Sequence, residues 1–180
     1  MHKFSQHVQE RNLVSIYREA IDANSIEGYI LGASDKLIVL QYVYDFNLDG
    51  LVVLRIEDIS EVRRSKTSIF QQALLAKEGV EQRVPFGASF NAESWRSIVT
   101  QLAQQYPIMI LECESEEEPD FVIGRVDKTT VEEVHIQGFS GVAEWHDTPT
   151  KLPLTQLTSC QVDTNHINFY QRHFERTEFH

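Results

Sequence analysis

An eight-residue stretch, LIVLQYVY at Leu37–Tyr44, decides the fold class of this 180-residue chain. β-Branched and aromatic side chains crowd this stretch, and such residues are enriched in strands because they pack well on a pleated surface. Turn residues lie on both sides of it, at residues 33–36 and at the Asp49-Gly50 pair, which is typical of tight hairpins. An earlier turn is predicted at residues 22–25. Further runs of the same kind stand at residues 13–17, 26–31, 51–56 and 59–63. The first half of the sequence therefore predicts five short strands.

Helical patterns flank this strand series. A short amphipathic helix is predicted within residues 1–12, and a longer helix at residues 68–79 with Ser68 as its N-cap. Residues 80–90 contain Pro85 and Gly87 and follow no clear period, which predicts a linker. The first domain should therefore span residues 1–79.

The second half repeats the same order of elements. A helix capped by Asn91 is predicted at residues 92–105, because apolar side chains recur there with a helical spacing. A terminal helix is predicted at residues 165–176. The strand candidates between these two helices are residues 107–113, 121–126, 131–136, 141–146 and 157–162.

Landmark residues keep similar distances in the two halves. Gly28 precedes Ile59 by 31 residues, and Gly124 precedes Leu157 by 33. A period near the size of one small domain indicates an internal duplication, with a second domain at residues 91–180. A single α+β domain is the alternative.

Part of the first half resembles a known family. The segments GYI at residues 28–30 and DKLIVL at residues 35–40, closed by Val43, resemble the first motif of the Sm-like small β-barrels. The segment VVLRIEDISEV at residues 52–62 is similar to their second motif. This resemblance covers about residues 13–64 and, more faintly, residues 107–163. It implies a mainly β fold of two tandem five-stranded Sm-like barrels with flanking helices.

The same resemblance implies a possible RNA site and also its loss. Asp35 and Arg55 keep the family's positions, but Val39 stands where RNA-binding members carry Asn, and Ile56 where they carry Gly. A basic segment follows the second motif, at Arg63, Arg64 and Lys66. An RNA-binding Sm-like protein that uses Asp35, Arg55, Arg63, Arg64 and Lys66 is therefore the alternative function. Salt bridges from these arginines to Glu57, Asp58 or Glu61 are the competing use.

The charge balance argues against nucleic-acid partners. The chain carries a net charge of −11, and residues 91–180 contain 6 basic and 15 acidic side chains. Such a balance repels phosphate backbones over long range, so we expect RNA binding no tighter than about 10⁻⁴ to 10⁻⁶ M at physiological salt. No secretory signal or membrane-spanning run is predicted, which favours a cytoplasmic protein without membrane contacts.

Three clusters carry candidate chemistry. One short segment contains six acidic residues that could bind a divalent cation: Glu112, Glu114, Glu116, Glu117, Glu118 and Asp120. A solvated hairpin is the simpler interpretation of this segment. Cys160 with His135 or His146 would form a nucleophile–base pair if their strands were neighbours. The remaining histidines, His166, His173 and His180, do not have the sequence spacing of a metal-binding motif. Cys113 and Cys160 are expected to be buried, reduced thiols.

These patterns contain no catalytic motif and predict no cofactor, no metal and no enzymatic activity. The favoured function is therefore a non-catalytic module for protein–protein interaction or assembly, including self-association through strand edges. Trp95 lies on the apolar stripe of its predicted helix and is expected in the core, whereas Trp145 is a candidate surface residue.

Overall fold

The computed structural model describes residues 4–114, 117 and 119–177. It is mainly β, with ten strands and four α-helices in these described residues. The chain divides into two compact units, Met1–Glu93 and Ser94–His180. The predicted linker, residues 80–90, lies within the first unit, where Val84 is buried and Phe86 contacts Tyr29.

The first unit has a helix at each end of five strands. In chain order these elements are α1 (Ser5–Gln9), β1 (Leu13–Arg18), β2 (Asp22–Ala33), β3 (Leu37–Tyr44), β4 (Asn47–Arg55), β5 (Glu61–Arg63) and α2 (Lys66–Lys77). All neighbouring strands are antiparallel, and their order in the sheet is β5-β1-β2-β3-β4. The fifth strand therefore returns to pair with the first, with Ile16 opposite Val62.

The core of the first unit lies on one face of this sheet. Alternate residues of β3, Ile38 and Leu40, are fully buried against Leu54 of β4 and Ile16 of β1. Phe4, just before α1, packs into the same cluster at 2% exposure. The strand predicted at Leu37–Tyr44 thus supplies the centre of the core.

The second unit contains the remaining helices and strands. They are α3 (Trp95–Ala103), β6 (Met109–Cys113), β7 (Asp120–Thr129), β8 (Glu133–Gly138), β9 (Thr150–Pro153), β10 (Ser159–Val162) and α4 (Asn165–Thr177). The order of its strands is β10-β6-β7-β8-β9, again with the fifth strand beside the first. A cluster of Ile110, Ile123, Phe139, Ile167 and Phe174 forms its core under α4.

Closed barrels are not shown in either unit. Among the described residues, β4 does not pair with β5, and β9 does not pair with β10. Each unit is an open five-stranded antiparallel sheet, so the prediction of five strands holds at this coarser level. None of the helices in the described part of the chain combines the length and apolarity needed to cross a bilayer.

Three local predictions are wrong. Residues 22–25 are not a turn, because β2 begins at Asp22. Residues 141–146 are not a strand: Ala143 has a positive φ of 61°, and Phe139 and Trp145 form only an isolated bridge. The fourth strand of this unit is β9, which ends at Pro153. The hairpin between β3 and β4 turns at Asp45 and Phe46, not at Asp49-Gly50, because Tyr44 pairs directly with Asn47.

Candidate functional site

The predicted basic segment is engaged in ion pairs. Arg55, at the end of β4, donates to both carboxylate oxygens of Asp58 at 2.7 and 2.9 Å and lies 3.1 Å from Glu57. Arg63 pairs with Glu61 at 2.6 Å, and this hydrogen bond lowers the pKa of the Glu61 carboxyl. The salt bridges expected from the sequence are therefore present. They pair two of the basic residues of the alternative RNA site, Arg55 and Arg63, with carboxylates of this chain.

The other members of that site lie on separate elements. Arg64 approaches Glu10 at 4.0 Å and the Gln72 side-chain oxygen at 3.5 Å. Lys66 is the exposed first residue of α2, whereas Asp35 lies in the turn between β2 and β3. Arg63, Arg64 and Lys66 are neighbours by sequence alone, and nothing in the described contacts draws Arg55 into this segment.

The candidate nucleophile Cys160 is remote from the candidate bases. Cys160 lies on β10 and His135 on β8, with β6 and β7 between them, which separates the strands by about 14 Å. His135 instead contacts Glu133 at 2.8 Å, and His146 follows β8 with its backbone bonded to Gly138. Burial, with Glu112 nearby, raises the pKa of the Cys160 thiol to about 12, so the thiolate is scarce at neutral pH.

The acidic segment is tied into the sheet of the second unit. Glu112 on β6 accepts hydrogen bonds from Ser159 at 2.7 Å and Gln161 at 3.0 Å. Glu114 accepts one from Thr158 at 2.6 Å. Glu116 and Glu118 lie outside the described residues, as does His180. Within the part of the chain that is described, no group of three His, Cys, Asp or Glu side chains is arranged to hold a metal ion.

The remaining candidates are the histidines of α4 and the two tryptophans. His166 and His173 on α4 contact the rings of Tyr170 and Phe174, at centroid distances of 5.3 and 5.7 Å. Trp95 is buried at 8% exposure, which confirms its place in the core. Trp145 is 37% exposed and packs on Phe174 at 4.6 Å.

An apolar surface that the sequence did not indicate lies on α2. Ser68 and Leu75 are the buried residues of this helix, while Phe70 remains 65% exposed. Leu74 follows one turn later on the same face and lines a cavity of about 310 Å³ with Phe46, Leu75, Glu78 and Val80. We call Phe46, Phe70, Leu74 and Val80 the α2 surface.

The turn before β4 holds Phe46 on this surface. Asp45 and Phe46 both have positive φ angles, 45° and 60°, in a two-residue loop between β3 and β4. This conformation is costly for a bulky side chain, about 1–2 kcal/mol. Phe46 is nevertheless 46% exposed, and it also lines a second cavity of about 180 Å³ beside Val43, Asp45 and Leu75.

Periodicity could not identify the α2 surface, because apolar residues are distributed around the whole of α2. The exposed face becomes evident only in the structure, where Gln72 and Leu75 hold the opposite face of α2 against the unit. Leu75 is buried, and the Gln72 side chain accepts a hydrogen bond from the Leu13 amide at 3.1 Å.

No protein-family model, curated protein or solved structure matches this chain.

Proposed function

We propose that the chain is a non-catalytic module for protein–protein assembly, in which the α2 surface of one copy binds helix α4 of another. The exposure of Phe46 and Phe70 beside an apolar cavity is the observation that carries this proposal. Contiguous apolar patches rimmed by polar residues mark interaction sites on soluble proteins, and aromatic residues dominate the binding energy of such interfaces.

The charges around the α2 surface favour a basic partner. Glu78 lines the 310 Å³ cavity, and Asp45 lines the adjoining one. A ligand that places an aromatic side chain in the cavity and a cation at its rim would satisfy both features. Complementary charges of this kind set the orientation and specificity of an interface.

Helix α4 supplies such a combination. Phe169 is 63% exposed, and the Arg172 guanidinium lies over its ring at 4.5 Å. Arg176 follows in the last turn of the same helix. This helix carries two arginines and one glutamate in an otherwise strongly acidic half of the chain. A contact between unlike surfaces, α2 on one copy and α4 on the next, builds rings or open chains rather than a simple two-fold dimer.

We further propose that the two units are Sm-like repeats derived by duplication. Their strand orders, β5-β1-β2-β3-β4 and β10-β6-β7-β8-β9, correspond strand by strand. Gly28 and Gly124 occupy equivalent places, each on a second strand whose third-strand neighbour passes close by. The register shifts shortly after both glycines, between Ile30 and Gly32 in one unit and between Val126 and Lys128 in the other. These parallels support the proposal that the two units are repeats. We propose that each repeat derives from a small Sm-like barrel.

Sedimentation velocity over a wide range of protein concentration tests the assembly. We expect the average sedimentation coefficient to rise with concentration, and Phe70→Ala and Phe169→Ala each to weaken association by about tenfold. Phe46→Gly should do the same while relieving the strained turn, so its effect cannot be attributed to unfolding. Val131→Ala is the matched control, because Val131 is 72% exposed and belongs to neither surface.

Charge exchange identifies the two partners. Glu78→Arg and Arg172→Glu should each weaken association, and the double variant should recover part of the loss, because the pair is restored with reversed polarity. A concentration-independent monomer would contradict the proposal. So would two charge effects that simply add.

A further inference from the structure

A cleft of about 640 Å³ opens in the first unit, on the side of α2 that carries Gln72. Its walls include Glu10, Arg11, Gln72, Glu81, Phe86 and Gly87. This volume falls in the range of small-molecule sites, about 300–1,000 Å³, and the lining mixes an apolar wall with a few charged groups, as such sites do.

Two carboxylates line the cleft. Glu10 accepts hydrogen bonds from Gln6 at 2.9 Å and Asn12 at 2.8 Å, which lower the pKa of its carboxyl and keep it ionised. Glu81 accepts one from the neutral Gln72 amide at 2.6 Å. In the described part of the molecule Glu81 forms no ion pair, so its charge is not neutralised from within the chain.

The aromatic wall already accepts a cation. The Arg11 guanidinium lies 4.8 Å from the centre of the Phe86 ring. The backbone of Arg11 has a positive φ of 51°, and its carbonyl accepts from Gln72 at 2.9 Å. The fold therefore holds this side chain against the ring, and the two carboxylates remain as the other charged groups of the cleft.

A buried tyrosine lies behind this wall. Tyr29 is fully buried and contacts Phe86 edge to face at 5.5 Å. Burial raises the pKa of Tyr29, and the interaction of its hydroxyl with the neighbouring Glu81 carboxylate raises it further, so Tyr29 stays protonated. Because the protonated phenol is neutral, it leaves the negative charge of Glu81 uncompensated.

We propose that this cleft binds a small organic cation, an ammonium or guanidinium compound with an aromatic or apolar body. The cationic group would donate to Glu81 and Glu10. The body would lie along Val84, Pro85 and Phe86. The net charge of −11 adds long-range attraction for such a ligand. This site is separate from the α2 surface and does not depend on self-association.

Isothermal titration calorimetry with three ligands of one shape tests the proposal. Phenethylamine is the cation, 2-phenylethanol its neutral counterpart and phenylacetate its anionic one. We expect phenethylamine to bind at least about tenfold more tightly than either counterpart, since a charge-assisted hydrogen bond is roughly twice as strong as a neutral one. Glu81→Gln should remove this preference.

Gly87→Leu blocks the cleft without disturbing the backbone. A Cβ at Gly87 meets nothing within 4 Å, so the added side chain has room to extend into the cleft. This variant should abolish binding, whereas Gly141→Leu, at an equally open glycine in the second unit, should retain it. Circular dichroism confirms that both variants are folded. The proposal is overturned by equal binding of the three ligands, by no binding of phenethylamine at millimolar concentration, or by unchanged binding to Gly87→Leu.

Discussion

Gly28 and Gly124 show how a single missing side chain shapes each sheet. A Cβ added at Gly28 would lie 2.6 Å from the backbone carbonyl oxygen of Gln41, and one at Gly124 would lie even closer to that of Gln137. The obstacle is backbone in both cases, so it cannot rotate away. The sequence marked these two glycines only by their similar spacing in the two halves, and the structure adds the reason for them, a close backbone approach inside a strand.

Alanine at these positions tests that interpretation. Gly28→Ala and Gly124→Ala should each lower the free energy of unfolding by about 1–3 kcal/mol, because the β-carbon forces neighbouring strands apart. Urea denaturation measures the loss. Gly32→Ala is the control: nothing lies within 4 Å of its Cβ, so it should be neutral or stabilise by about 0.4–1 kcal/mol. An equal loss at Gly32 would show that strand propensity, not the steric contact, is responsible.

The turn at Asp45 and Phe46 shows where residue-level prediction fails. Asp49-Gly50 has the better turn chemistry, yet Gly50, with a φ of 76°, lies within β4, where its carbonyl accepts from the Gln41 side chain at 2.8 Å. Which pair forms the turn depends on the register of two whole strands. That register is set by side chains many residues away and cannot be derived from the dipeptide.

At the scale of elements, helix positions were predicted better than helix starts. The predicted helix at residues 68–79 begins two residues earlier, with Ser65 as its N-cap. Ser65 and Ser68 are both suitable caps, and the structure uses both in a reciprocal capping box. The Ser65 hydroxyl accepts from the Ser68 amide at 3.0 Å. In α3 the cap is likewise Ser94 and not Asn91, since Ser94 accepts from Ser97 at 3.1 Å.

Removing the cap of α2 should destabilise the first unit. Ser65→Ala leaves the Ser68 amide without its acceptor and should cost about 1 kcal/mol of unfolding free energy. Chemical denaturation followed by far-ultraviolet circular dichroism measures this cost. Thr67→Ala, at an exposed position in the same turn, is the matched control and should be neutral or slightly stabilising. Equal losses in both variants would argue that the cap contributes nothing.

Strand prediction failed where the sequence pattern was misleading. Residues 141–146 alternate suitably, but Val142 is 75% exposed and the backbone reverses at Ala143. The strand that forms, β9, ends in a proline, which counts against a strand in any propensity scale. Proline is tolerated there because β9 is the last strand in its unit's order and pairs with β8 through Leu152 and its neighbours.

For the whole molecule, one fully buried and two partly buried tyrosines predict a loss of stability in alkali. Burial raises the pKa of Tyr29 and Tyr42 in the first unit and of Tyr106 in the second. A group whose pKa is higher when folded stabilises the fold fully below its unfolded pKa, about 10 for tyrosine. This stabilisation is then lost as the pH rises through the folded pKa, by up to about 1.4 kcal/mol per pH unit for each group.

Unfolding free energies measured from neutral pH to above about pH 10 test this expectation. Stability should fall steeply at the alkaline end, and Tyr29→Phe should make the fall shallower. At neutral pH the same variant should stay folded, because it removes one hydroxyl and keeps the buried ring and its contact with Phe86. Tyr44→Phe, at a 63% exposed tyrosine, is the comparison variant and should change the slope less than Tyr29→Phe, through its small contribution to the raised pKa of the neighbouring Tyr42.

The candidate sites could be predicted only in part, because they are assembled from distant segments. The ion pairs of Arg55 and Arg63 were predictable, since their partners lie within three residues. The cleft joins residues 10–11, one residue of α2 and residues 81–87, and the last of these lie in the segment that the sequence marked as a linker. No local sequence pattern connects these three segments. The cleft therefore becomes visible only when the structure shows them packed around α2.

Strand β5 is short, and its length affects the fraction of molecules in which the α2 surface is formed. Three residues pair this strand with β1, so its local opening is cheaper than that of any longer strand in the unit. Arg64 alone separates β5 from the Ser65 cap, and the first turn of α2 is therefore exposed to the same fluctuation. In the proposed assembly, only molecules with β5 paired to β1 (the closed population) would present Phe70 for binding, so the apparent dissociation constant would rise as that population falls. A closed fraction of about one half would merely double the constant, whereas about one tenth would raise it tenfold.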